Sequence, residues 1–188
     1  MSATRLFILS ALARRGPMHG HQLRQQALED RTDQWSDIKV GALYGALTRL
    51  DREKLISAVR TEREGRYPER VVYAITPEGR RALTTLHDSM LRALVVPTDP
   101  FDLALAHTTE IAEETLRDIV HTRLLDYQAR LAGAQSQLAA AQPWLTAAEH
   151  AVCEHVIARL ETEVRWHDEL LHRVAKITAD HPNEKEAP

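Results

Sequence analysis

A single cysteine, Cys153, stands in 188 residues. No internal disulfide can form, so the chain must hold itself by its own core, and it suits a reducing, cytoplasmic setting. Aromatics are scarce, at 5% of the chain, which argues against a large aromatic-lined catalytic cleft. No apolar run approaches the roughly 18–20 residues that a membrane-spanning helix needs, so no membrane partner is expected. The first segment, "MSATRLFILSALARRG", has a short apolar stretch, but Arg14 and Arg15 follow it and no cleavage site is evident. It fits an amphipathic helix and not a leader peptide. Also missing are a nucleophile elbow, a phosphate-binding loop and an HExxH pair. The ten histidines do not make up for them. His19 and His21 form a weak metal pair, and the pairs His150/His155 and His167/His172 are each separated by about 140° on a helix. No enzyme activity, cofactor or metal is expected.

What is present is a sizeable apolar fraction, 44%, enough for a real core. The net charge of -3 hides an asymmetry. Residues 1–90 carry 15 Lys/Arg against 11 Asp/Glu, and residues 91–188 carry 9 against 16. A basic front half joined to an acidic back half suggests that only the front meets a polyanion.

Along the chain, Leu6, Leu9 and Ala13 recur at helical spacing over residues 4–14, and Gly16-Pro17 ends that helix. A second short helix fits His19 to Glu29, with Leu23 and Ala27 inward. "DRTDQWSD" is polar and fits a loop. Val40, Leu43, Leu47 and Leu50 mark a third helix. Two strand-like runs follow, Leu55–Thr61 and Val71–Ile75, joined by a turn that carries Arg66 and Arg70. Thr76 as N-cap and Pro77 at the first helical position open a fourth helix, to about Leu94. Three helices, a two-stranded ribbon and a helix, in that order, describe a winged helix-turn-helix.

"VVPTDP" is a natural boundary, and beyond it the helices lengthen. A short helix fits Phe101–Ala106. Leu116, Val120, Leu124, Tyr127, Leu131, Ala134 and Leu138 make one apolar seam, ended by Pro143. Thr146-x-x-Glu149 is a capping box for the next helix, whose seam runs Cys153, Ile157, Leu160, Val164, His167, Leu171 and Val174. Two such helices make an antiparallel hairpin that cannot bury both seams alone, so a homodimer is expected. The expected organisation is mainly α: a winged helix-turn-helix domain over 1–94, a linker over 95–100, a helical dimerisation and effector domain over 101–178, and a frayed tail over 179–188.

Opposite its leucines the third helix presents Gly41, Tyr44, Gly45, Thr48, Arg49 and Arg52, with Lys39 just ahead of it. Glycine in a helix costs roughly 1 kcal/mol against alanine. Two of them on the outward face suggest that something large approaches the backbone, and a DNA groove is such a thing. At the hairpin, Arg66 and Arg70 fit phosphate contacts, although Glu62, Glu64 and Glu69 sit among them and a merely solvated, charge-mixed loop is the alternative.

"FILSALARRGPMHGHQL", "LYGALTRLDREKLI" and "RVVYAITPEGRRAL" together resemble, in order and spacing, the DNA-binding domain of the PadR family of bacterial transcriptional regulators. The resemblance covers roughly residues 5–85, and the acidic helical tail resembles the longer C-terminal domain of one subgroup. It implies double-stranded DNA with a palindromic operator as partner, a homodimer, and a small aromatic effector acting through the helical domain or the dimer cavity. Independently of the resemblance, Trp166 is the candidate ligand-binding residue because it flanks the seam beside His167, which is expected to hydrogen-bond a carboxylate or phenol. His21 stands where the family commonly has Tyr, and Lys54 where a Gly usually closes the recognition helix. Two functions remain open at this point: a repressor released by its effector, or a winged-helix protein-interaction module without specific DNA binding.

Overall fold

The computed structural model describes residues 2–29, 38–63, 69–108 and 111–179. The polar loop after the second helix, the tip of the hairpin and the tail beyond 179 lie outside the described residues. The chain forms two compact units, Met1–Val96 and Pro97–Pro188.

In the first unit, α1 (Ala3–Arg15) starts at Ser2 and ends at Gly16, whose φ of 84° suits a residue without a side chain. It buries Ile8, Leu9, Ala11 and Leu12. Helix α2 (Gly20–Glu29) adds Leu23 and Ala27, and α3 (Leu43–Arg52) adds Leu43, Ala46, Leu47 and Leu50. These residues form one core cluster with Met18 and Ile56, and the half-buried Leu55, Tyr73, Ile75 and Leu83 pack on it.

The sheet corrects the two-stranded expectation. It has three antiparallel strands: β1 (Met18–His19), β2 (Ile56–Glu62) and β3 (Arg70–Ile75), in the order β1-β3-β2. His19 therefore belongs to β1 and not to the second helix. It pairs with Val72, as Met18 does with Tyr73. Between β2 and β3 the register slips at Ala58/Arg60, leaving Val59 as an extra residue.

Helix α4 (Pro77–Arg92) is fixed at its start. Thr76 Oγ1 accepts the Gly79 N–H (3.0 Å) and donates to the Lys54 carbonyl (2.8 Å). Lys54 is the residue that turns the chain from α3 into β2, with φ 59°, the one positive φ outside glycine among the described residues. A side chain in the left-handed region costs about 1 kcal/mol or more. Lys54→Gly is therefore expected to stabilise the first unit by about 0.5–1 kcal/mol after the extra chain entropy of glycine is subtracted. A denaturant midpoint unchanged or lowered in the variant would contradict this.

In the second unit, α5 (Pro100–Ala106) is capped by Asp99, α6 spans Glu113–Ala141, and α7 (Ala147–Leu171) opens with the Thr146–Glu149 capping box. Helices α6 and α7 run antiparallel: Arg117 reaches the Leu171 carbonyl and Arg123 reaches His167. The chain breaks at His172–Arg173 and resumes as α8 (Val174–Ala179), where the sequence suggests one continuous helix. Leu116, Val120, Leu170 and Val174 form the core with Phe101, Leu105 and Ile177. Toward the hairpin turn, Leu131, Leu138, Ile157 and Leu160 are only half-buried.

Candidate nucleic-acid interface

The candidate surface is built on α3. Its inward side chains are 0–5% exposed and lock its rotation, so the opposite face is fixed outward. That face carries Tyr44, Gly45, Thr48, Arg49 and Arg52, all exposed. The guanidinium groups of Arg49 and Arg52 form no ion pair with any described residue, and they sit in the helix's last turn, where cations are favoured. Thr48 donates its hydroxyl proton to the Tyr44 carbonyl (3.2 Å), leaving its lone pairs toward solvent. Gly41 lies ahead of α3, in a short 3-10 turn at Val40–Ala42, and not in the helix as the sequence suggests. A Cβ at Gly41 or Gly45 would meet nothing within 4 Å, so no packing within the described protein demands glycine there. Lys39 is exposed just before that turn, its carbonyl accepting the Ala42 N–H (2.8 Å).

Tyr44 is half-exposed, 51%, and its position has a cause that the sequence does not display. Its ring lies against Gly20 at the start of α2; a Cβ on Gly20 would stand 2.7 Å from Tyr44 Cε1 and 3.2 Å from Leu47 Cδ1. The residue before it, His19, accepts the Gln22 N–H on Nδ1 (3.1 Å), while Gln22 Oε1 accepts the His19 N–H (3.0 Å). This is the reciprocal geometry of a capping box with an imidazole in the hydroxyl's place.

The two wing arginines part company. Arg66 falls outside the described residues. Arg70 is the first residue of β3, half-buried and paired in register with Glu62, so it stands at the base of the hairpin and not in its turn. Glu62 also accepts from Arg60 (2.6 Å). The wing's charge is thus partly internal.

The second candidate region lies in the helical unit. Trp166 is 37% exposed, and it lines a groove of about 290 Å³ with Leu105, Leu170 and Ile177, with Glu169 and Arg173 at its edge. His167 is fully buried. Its Nδ1–H donates to the Glu163 carbonyl (2.8 Å), and Nε2 accepts from Arg123 Nε (3.0 Å). Both nitrogens are used, so His167 is not available to hydrogen-bond a carboxylate or phenol, contrary to the sequence-based expectation. Arg123 also pairs with Asp99 (2.5 Å) and lies 4.2 Å over the Phe101 ring. The Asp99 carboxyl is held below the usual carboxylate range, first by the Phe101 N–H and then by Arg123. Among the described residues no three His, Cys, Asp or Glu side chains gather into a metal-binding group, and no helix is long and apolar enough to cross a membrane.

Residues 8–85 match the transcriptional regulator PadR-like family. The match falls within the first unit, which is similar to a PadR-like domain. No curated protein matches the sequence. Among solved structures, the chain is similar to Bacillus subtilis PadR in complex with operator DNA, at 24% identity, a TM-score of 0.71, and 92% of this chain against 99% of that one. It is similar to the same regulator in complex with p-coumaric acid, at 21% identity, TM-score 0.73, and 93% against 99%. The Vibrio cholerae virulence activator AphA gives 20% identity, TM-score 0.72, and 93% against 99%. The likeness in fold extends over both units, the helices that follow the first unit included.

Proposed function

We propose that this protein is a homodimeric, sequence-specific regulator of transcription that represses from a palindromic operator and is released by a small aromatic effector. It acts by binding, without a catalytic step or cofactor, in the bacterial cytoplasm. The observation that carries the reading is the outward face of α3, where Tyr44, Gly45, Thr48 and Arg49 are exposed and the arginine lacks an ion-pair partner among the described residues. Gly41 and Lys39 extend that face, and Arg66 and Arg70 add phosphate contacts from the wing. The half-buried seam of α6 and α7 supports the dimer, since Leu131, Leu138, Ile157 and Leu160 need further cover. The groove beside Trp166 supports the effector, which stacks on that indole while the buried His167, edge-on to it, fixes its place. Such a ligand acts by changing the spacing of two winged domains that must meet the major groove about 34 Å apart.

An electrophoretic shift with the region upstream of the protein's own coding sequence tests the reading, and light scattering of the full chain is expected to give twice 21.3 kDa. Arg66→Ala and Arg70→Ala should weaken binding on all sequences and lower the salt slope by about one unit each. Arg49→Ala should instead relax preference at one base pair by roughly 1–3 kcal/mol. Wing variants with wild-type affinity and slope would remove the wing from the interface.

A further inference from the structure

We propose that His19 and Gly20 are positioning residues for DNA reading: the side chain of His19 holds the first turn of α2 to the wing's sheet, and the bare Cα of Gly20 in that turn sets where Tyr44 presents its phenol on the outward face of α3. The inference rests on the DNA-binding reading above and deepens it. Three observations join in one place. His19 is in register with Val72 of β3, so its backbone belongs to the sheet. Its side chain closes the reciprocal cap with Gln22, so the same residue also belongs to α2. Gly20 then meets the Tyr44 ring so closely that a Cβ would stand 2.7 Å from Cε1 and 3.1 Å from Cδ1. The ring is half-exposed and has room to swing away. A methyl group at position 20 therefore displaces the phenol, while Leu47 Cδ1, at 3.2 Å, has only a few tenths of an ångström to give. Tyr44 leaves its place on the reading face while the leucines beneath stay buried.

The cap also makes the arrangement sensitive to acid. Nδ1 of His19 accepts the Gln22 N–H, and a proton on Nδ1 removes that bond. Among the described residues, the charged and titratable groups that face the ring are Arg70 on β3, Glu62 on β2 and His21 on α2. Burial above all, then Arg70, lowers the pKa of His19; Glu62 opposes them and His21 adds to them. With the folded value depressed, the cap's contribution is complete above the ordinary value of 6.5 and declines as the pH falls below it.

The test uses the full chain and a duplex recovered by the wild-type protein from a random pool. At neutral pH, Gly20→Ala and Tyr44→Ala are each expected to lose about tenfold in affinity. The double variant should lose no more than Tyr44→Ala alone, because the methyl group acts only through the ring. Losses that multiply to about a hundredfold overturn the role of Gly20. As the pH falls below about 6.5 through the depressed titration of His19, wild type should lose several-fold more affinity than His19→Asn, which keeps a helix cap that does not titrate. Parallel pH profiles overturn the role of His19. Should Gly20→Ala fail to fold, the double variant decides: folding and binding like Tyr44→Ala support the inference, and failure to fold places the obstruction at Leu47 and overturns it. If the wild-type protein recovers no sequence from the pool, the DNA-binding reading fails and this inference with it.

Discussion

Gly79→Ala is expected to cost the first unit about 3 kcal/mol, the upper end for overpacking a closely fitted site. A Cβ at this position would stand 2.0 Å from the Leu55 carbonyl oxygen and 2.8 Å from Ile75 Cγ1. The Leu55 oxygen is held in place by the Thr76 N–H (3.1 Å), and it shares the Thr76 hydroxyl proton (3.1 Å) with the Lys54 carbonyl (2.8 Å). Gly79 cannot step aside either, since its own N–H is the cap bond to Thr76 Oγ1. Relief requires the start of α4 to lift from the sheet, which gives up the cap and loosens Leu83 from the core. In a domain of this size the loss corresponds to a fall in melting midpoint of roughly 12–24 °C. Gly45→Ala supplies the opposite sign: with open space around it and a helical backbone, it should gain up to about 1 kcal/mol. Circular dichroism melts of the two variants check both. A Gly79→Ala melt within a few degrees of wild type would show that the helix start is not pinned in this way.

Much of this fold shows in the residues. The step of Leu43, Leu47 and Leu50 marks the buried side of α3, and Thr76-Pro77 and Thr146-x-x-Glu149 mark helix starts that the structure places at Pro77 and Ala147. Those signals are local, each within one or two turns. Strand β1 is not legible because two residues show no period, and its partners Tyr73 and Val72 are distant in sequence. His19 also competes with the helix pattern that begins at Gly20, so a boundary placed by periodicity slips by one residue. The candidate interface divides along the same line. The outward set on α3 follows from helical geometry alone. That Tyr44 rests on Gly20 depends on how closely α2 approaches α3, which no spacing reports. His167 was legible as a seam residue, but its partner Arg123 was not, because the pairing depends on the register set by the turn at Gln142–Trp144.

Arg123→Met is expected to destabilise the second unit by about 2–3 kcal/mol. Its largest component is the buried His167 Nε2, which would be left without a donor at a site of zero exposure, a penalty of about 1–3 kcal/mol. The Asp99 pair adds less, since its side chains are 28% and 37% exposed and solvent screens them. The guanidinium over Phe101 at 4.2 Å adds about 0.5–1 kcal/mol. Arg123→Lys should recover less than half of the loss, because one ammonium point charge cannot reproduce the planar fork that reaches His167 and Asp99 together. The decisive comparison is the double variant Arg123→Met/His167→Phe. It removes the acceptor along with its donor, so it should be more stable than the sum of its two single losses and nearer to wild type than Arg123→Met alone. Denaturant unfolding of the full chain measures wild type and the four variants, His167→Phe included, and Trp166, edge-on to His167 at 4.9 Å, gives a local fluorescence signal. Additive losses would mean that Arg123 stabilises the unit through Asp99 and Phe101 alone. Trp166 at the groove would then rest on a His167 ring whose place is set by packing and by the Glu163 carbonyl alone.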